Sequence, residues 1–197
     1  MQLELSTWCE VEDYLKTRKD IIIPIGSIEQ HGPMGFISTD SICPEVIAKG
    51  ISERDSTLVA PVIKFGMSQH HMSFPGSITL RPTTMIALLK DVILSLTNHG
   101  FTHLFFINGH GGNVDSIKAA FSEIYAEHSF SKNPSPAHFH LWNWYTGDRV
   151  KAITEKYFKD TEGSHATPSE LSLSFYAHPD KVKKADLSQD VSKKDNF

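Results

Sequence analysis

Along the chain, short apolar runs rich in β-branched residues alternate with stretches whose apolar positions recur every three or four residues. This alternation predicts strands that cross over through helices onto a largely parallel sheet. Ile21 to Ile25 reads as a buried strand that stops at Gly26, and Leu104 to Ile107 as another. Leu58 to Ile63, around Pro61, is a weaker strand, at an edge or interrupted. Ala137 to Trp144 alternates as a further strand. The clearest helix follows Arg81-Pro82, where Met85, Leu88, Leu89, Val92, Ile93 and Leu96 form one apolar stripe. Asn98-His99-Gly100 supplies its glycine stop. A second helix carries Val114, Ile117, Phe121 and Ile124 on one face, and Glu170 to Ala177 suggests a third. From Lys181 to Phe197 the chain reads as a polar tail, either a solvated extension or a packing arm.

Composition narrows the class. With 197 residues, 40% of them hydrophobic, the chain can bury one sizeable core and is too short for two full domains, so residues 1–197 are expected to form a single domain. Net charge is -4 and the sequence pI about 6.2, with no concentration of basic residues that marks a nucleic-acid footprint. Cys9 and Cys43 fit neither a disulfide framework nor a thiolate zinc site, which suits a reduced, cytoplasmic compartment. Met1-Gln2-Leu3-Glu4 opens no secretory signal, and no apolar run approaches the roughly 20 residues of a membrane span. The expectation is a soluble protein with neither nucleic acid nor membrane as partner.

Candidate chemistry lies just after two of the strands. Ile21 to Ile25 is followed by Gly26-Ser27-Ile28-Glu29-Gln30-His31-Gly32-Pro33, and Leu104 to Ile107 by Asn108-Gly109-His110-Gly111-Gly112-Asn113. In an open parallel sheet, ligands bind beyond the carboxyl ends of the strands, so both clusters face one crevice. Glu29 and His31, two residues apart, point the same way in an extended segment. Asp40 lies within reach of the same site, where a carboxylate's two oxygens can serve two ions. The nitrogen and oxygen donors suit Zn, Mn or Fe without choosing among them. Structural readings compete: Asp40 is also a good N-cap for a helix starting at Ser41, and Thr167-Pro168-Ser169-Glu170 has the spacing of a capping box. The glycine-rich run matches neither the P-loop nor the dinucleotide fingerprint.

Four motifs occur in order: GSIEQHG with Thr39-Asp40, FPGSITL at 74–80, NGHGGN at 108–113 and HATPSELS at 165–172. Together they resemble the creatininase (creatinine amidohydrolase) family. The resemblance implies a three-layer α/β/α sandwich on a mostly parallel sheet, holding two divalent metal ions per chain. It implies that Glu29 and His110 hold one metal, that His31 and Glu170 hold the other, and that Asp40 bridges them. His165 and Glu170 are then the candidates for the chemistry, with His165 protonating the leaving nitrogen after a metal-acidified water attacks the carbonyl. His71 takes a pocket or supporting role, Gly111, Gly112 and Asn113 are placed to hold substrate or oxyanion, and Trp142 is a candidate pocket wall. His70 is expected on the surface or in a structural role.

The implied activity is hydrolysis of a carbon–nitrogen bond in a small, possibly cyclic, amide or formamide. A homo-oligomer, with a hexamer favoured, also follows from the resemblance. The alternatives are a non-catalytic binding or assembly subunit on the same fold, and a metal-dependent isomerase or ring hydrolase. Three departures bear on the choice. Met34-Gly35-Phe36 replaces a His-Leu-Pro type of sequence, Gly111-Gly112 stands where creatininase carries a glutamate ligand, and the family commonly continues with a further segment, so this reads as a shortened form.

Overall fold

In a computed structural model, which describes residues 1–131 and 137–185, the isoleucines of strand β1 (Asp20–Ile25) divide between two cores. Successive strand side chains point to opposite faces. Ile21, Ile23 and Ile25 therefore pack on one side of the sheet and Ile22 on the other, all of them buried. Burial on this scale stabilises the fold by about 1.5–3 kcal/mol per large aliphatic side chain.

Three further strands complete a parallel sheet in the order β2-β1-β3-β4: Leu58–Val59 (β2), His103–Asn108 (β3) and His138–Asn143 (β4). Among the described residues, six α-helices cover it: Trp8–Thr17 (α1), Thr39–Asp55 (α2), Pro82–Asn98 (α3), Val114–Ser129 (α4), Asp148–Tyr157 (α5) and Pro168–Ala177 (α6). Val11 and Leu15 of α1, Met85, Leu89 and Ile93 of α3, and Ile117, Phe121 and Ile124 of α4 pack against the first face. Cys43, Ile47 and Ile51 of α2, Val150 of α5 and Leu173 of α6 pack against the second. The result is the expected three-layer α/β/α sandwich.

Several details depart from the sequence reading. The strand expected over Leu58 to Ile63 keeps only Leu58–Val59, at the sheet edge, with a single later bridge from Ile63 to Ile25. Helices α1 and α5 were not foreseen, because both are largely polar and expose most of their surface. Gly100, with φ at +101°, ends α3 as its sequence predicts. Residues 182–185 of the expected tail are irregular, and residues 186–197 lie outside the described residues. Cys9 is exposed and Cys43 buried, and both are free thiols. Among the described residues, no helix is long and apolar enough to cross a membrane.

Candidate metal centre

Strands β1 and β3 pair in register as far as Ile25 and Asn108, so the segments that follow leave the sheet side by side. The start of α2 drops between them. A Cβ on Gly26 would lie 2.1 Å from the Asp40 carbonyl oxygen, and one on Gly109 2.0 Å from the same atom. Only glycine at both positions lets the helix come this close. Asp40 is therefore not the N-cap that its sequence position suggested. Ser38 occupies that place without a side-chain cap bond, and Asp40 sits in the first turn with its carboxylate turned into the crevice.

The two Asp40 oxygens face different histidines. Oδ1 lies 3.0 Å from His31 Nε2, and Oδ2 lies 2.9 Å from His110 Nδ1. Each ring is oriented from behind by a backbone carbonyl: His31 Nδ1 is 3.2 Å from the Glu29 oxygen, and His110 Nε2 is 2.8 Å from the Met67 oxygen. Donation to those carbonyls leaves the nitrogens facing Asp40 as the basic ones, the arrangement that presents imidazole to a metal. Ser27 Oγ approaches both carboxylates, 2.8 Å from Glu29 Oε2 and 3.0 Å from Asp40 Oδ2.

Glu29 Oε1 is buried and makes no hydrogen bond. Around it stand His110 Nδ1 at 3.2 Å and His71 Nε2 and His165 Nδ1 at 3.6 Å each. On the other side of Asp40, Glu170 caps a helix with one oxygen and turns the other toward the cluster. One oxygen accepts the Thr167 N–H in a complete capping box at the start of α6. The other, Oε2, lies 3.9 Å from His31 Nε2.

Charge is concentrated here. Burial opposes ionisation of the imidazoles, but the Asp40 carboxylate prevails, so the His31 pKa rises from 6.5 to about 9 and that of His110 to about 10. Burial likewise pulls Asp40 upward, yet His110 and His31 hold it well below the usual carboxylate range. At Glu29 the same contest ends below its ordinary value, through His110. Glu170 is raised by burial. His165 moves the other way: burial and the nearby His31 cation depress it to about 4. Its Nε2 lies 2.8 Å from the Gln30 carbonyl oxygen and 3.0 Å from the Gln30 side-chain nitrogen. Ala166, next in the chain, adopts φ of +51° to turn from His165 into α6, a strained conformation of the kind found at functional sites.

Other expected residues fall differently. His71 is buried at the edge of the cluster, stacked on His165 at 4.4 Å with Nδ1 3.2 Å from Gln30 Nε2, which matches a supporting place. The Asn113 side chain turns into the framework: Oδ1 accepts from the Met67 N–H at 3.0 Å, Nδ2 donates to Gly26 O and Asn108 Oδ1, and its own N–H goes to the His110 carbonyl at 3.2 Å. It ties three segments of the site together and has no polar atom left over. Gly112 is also structural, since a Cβ there would lie 2.5 Å from His110 Nε2. That contact, with the Met67 oxygen at 2.6 Å, leaves no room for a side chain there unless His110 or Met67 shifts. Gly111 does line the crevice. Trp142 does not: it lines a separate hollow with Ile22, Ile51, Ile107 and His140 and is 44% exposed. Trp144 and Tyr145, in the turn just beyond β4, form the aromatic wall instead. His70, expected outside the site, lies within it.

Among the described residues, three groups place ligand atoms within 4.8 Å of one another: Glu29, His31 and His165; Glu29, His70 and His110; and His31, Asp40 and Glu170. Buried carboxylates need compensating positive charge. The unbonded Glu29 oxygen, the paired Asp40 contacts and the all nitrogen–oxygen donor set fit divalent transition metals. A cavity of about 410 Å³ opens above Asp40, His110, His165 and Glu170, with Tyr145, Lys151 and Glu162 on its walls. This volume is in the range of small-molecule sites.

A family model for creatininase, described as creatinine amidohydrolase, matches residues 4–197. Creatinine amidohydrolase of Pseudomonas putida is 30% identical over 128 residues, 60% of this chain and 49% of that protein. The mycofactocin precursor peptide peptidase of Mycobacterium ulcerans is 33% identical over 56% of this chain and 48% of its own length. A 3-dehydro-scyllo-inosose hydrolase of Thermotoga maritima is 30% identical over 88% of this chain and 55% of its own. The chain thus spans about half the length of the curated relatives it matches. Among solved structures, creatinine amidohydrolase superposes with a TM-score of 0.84 at 23% identity, covering 92% of this chain and 74% of that one. A structure described as "Creatininase Mn" gives 0.82 at 25% identity with the same coverage. Sequence match and architecture agree over nearly the whole length, and the chain belongs to the creatininase family.

Proposed function

We propose that this chain is a metal-dependent amidohydrolase with two divalent ions, of Zn, Mn or Fe, bridged by Asp40. The observation that carries the reading is the division of the Asp40 carboxylate between His31 Nε2 and His110 Nδ1. A carboxylate that served only structure has no need of two oriented imidazoles on opposite oxygens. Glu29 and His110 would hold the ion at one end, and His31 and Glu170 the ion at the other. Bound there, such ions acidify water toward neutral pKa and polarise a carbonyl.

The remaining tasks fall to side chains around the cavity. Burial favours the neutral ring of His165, whose pKa in the metal-free protein is lowered to about 4. With Nε2 engaged by Gln30, Nδ1 is the atom that accepts a proton and returns it to the leaving nitrogen, a transfer that an amide requires. Gln30 and His71 hold that ring in place. The polar walls, with Tyr145, Lys151 and Glu162, favour a small polar amide over an apolar one. A second reading, hydrolysis of a sugar-like ring, is favoured by the extent of the Thermotoga maritima match, which covers 88% of this chain.

The deciding experiment is elemental analysis of protein purified without chelator, beside Asp40→Ala, followed by mass spectrometry of candidate substrates. About two metals per chain, both lost in Asp40→Ala, and a new amine or carboxylate product are expected. Little or no metal in the wild type, or equal metal in the variant, overturns the proposal. A ring-opened product without a new amine selects the second reading.

A further inference from the structure

His70 and His71 are adjacent in sequence, and a short 3-10 turn, Gln69–His71, directs both rings toward the cluster. The turn is not a free loop. Its leading residue Met67 gives its N–H to Asn113 Oδ1 at 3.0 Å and its carbonyl to His110 Nε2 at 2.8 Å. Ser68, fully buried, gives its N–H to Thr79 Oγ1 at 2.9 Å. The same contacts that orient His110 therefore set where His70 stands. The His70 ring lies parallel to that of His110, with centroids 5.7 Å apart and planes 7° from coplanar. One of its nitrogens, a Glu29 carboxylate oxygen and a His110 nitrogen lie within 4.8 Å of one another.

We propose that His70 is a further metal ligand at the Glu29–His110 end of the centre, an inference that rests on the two-metal reading above. The Glu29 end would then draw on His70 and His110 beside Glu29 and one oxygen of Asp40, and the His31 end on His31, Glu170 and the other Asp40 oxygen.

Zinc titration of chelator-stripped protein against a competing chromophoric chelator tests this, with wild type, His70→Ala and His70→Phe compared. Phenylalanine keeps the ring stacked on His110 and offers no donor. The expected result is two zinc ions in the wild type, and weakening of one of them in both variants by more than the roughly 10- to 100-fold expected for removing a supporting partner. Added imidazole should restore it in His70→Ala. Long-range nitrogen–proton NMR of zinc-loaded wild type, which needs no variant to fold, should show metal-bound ring nitrogens for His31, His70 and His110. Two zinc ions held equally well by wild type and both variants, or ligation shifts at His31 and His110 without His70, overturns the assignment of His70 and leaves the two-metal reading intact. Fewer than two zinc ions in the wild type overturns both.

Discussion

His110 can present Nδ1 to the centre only while Nε2 stays against the Met67 carbonyl, and Gly112 is what leaves room for that contact. Gly112→Ala puts a methyl group 2.5 Å from His110 Nε2 and 2.6 Å from the Met67 oxygen. It should destabilise the fold by about 1–3 kcal/mol, as overpacking does, and lower metal content at the Glu29 end; thermal melts and elemental analysis read the two effects separately. A second residue-scale outcome concerns protons. His31 and His110 are raised from 6.5 to about 9 and about 10, so the stability they give the metal-free protein is fully present below pH 6.5 and is lost as pH rises through 9 to 10. Metal uptake near pH 7 must displace those protons. Zinc added to weakly buffered metal-free protein should acidify it, and affinity should rise with pH; a pH-independent affinity contradicts this account. At this scale the sequence disclosed Glu29, His31, Asp40, His110 and Glu170 through their motifs. It gave His71 a supporting place and His70 a surface or structural one, whereas the 3-10 turn brings both rings near the cluster, their centroids 4.2 Å apart. It misplaced Trp142, because one residue's shift past the strand end decides whether a tryptophan faces the sheet or the crevice.

At the scale of elements, α6 sets a capped helix start against the proposed centre. Thr167 and Glu170 close a capping box, and the second Glu170 oxygen faces His31. Glutamine at position 170 still accepts the Thr167 N–H but is a poor ligand for a dication. Glu170→Gln should therefore keep stability within about 0.5 kcal/mol while weakening one metal, whereas Glu170→Ala loses the metal and about 1 kcal/mol of cap as well. Melting curves and metal titrations of the pair check this, and equal melting losses in both variants would show that the capping role had been misread. The same motif explains a missed element. Helix α1 opens on the box formed by Thr7 and Glu10, a signal present in the sequence but unaccompanied by a broad apolar stripe, since only its Val11, Tyr14 and Leu15 edge packs on the core. Helix α5 has no such box and is more polar. The strands and helices α3 and α4, with their regular apolar periods, were legible because burial on a defined face leaves that imprint.

For the whole molecule, the centre lies where otherwise separate segments converge: the loop after β1, the first turn of α2, the turn after β3 and the start of α6. Those segments come from the sheet and from the layer of α2 and α6, so ions bound between Glu29, Asp40, His110 and Glu170 would clamp that layer to the carboxyl ends of the strands. An ion that binds only the folded chain stabilises it by about 4.1 kcal/mol when present at 1,000 times its dissociation constant. For a domain of about this size each kcal/mol shifts the melting temperature by roughly 2–4 °C, so stripping one such ion should lower it by about 8–16 °C. Asp40→Ala, which forfeits the bridge, should melt near the stripped wild type and show no further response to chelator. If chelator lowers the melting temperature of Asp40→Ala as much as that of wild type, the stabilising ion lies elsewhere on the chain and the clamp formed around Asp40 is not what holds these segments together.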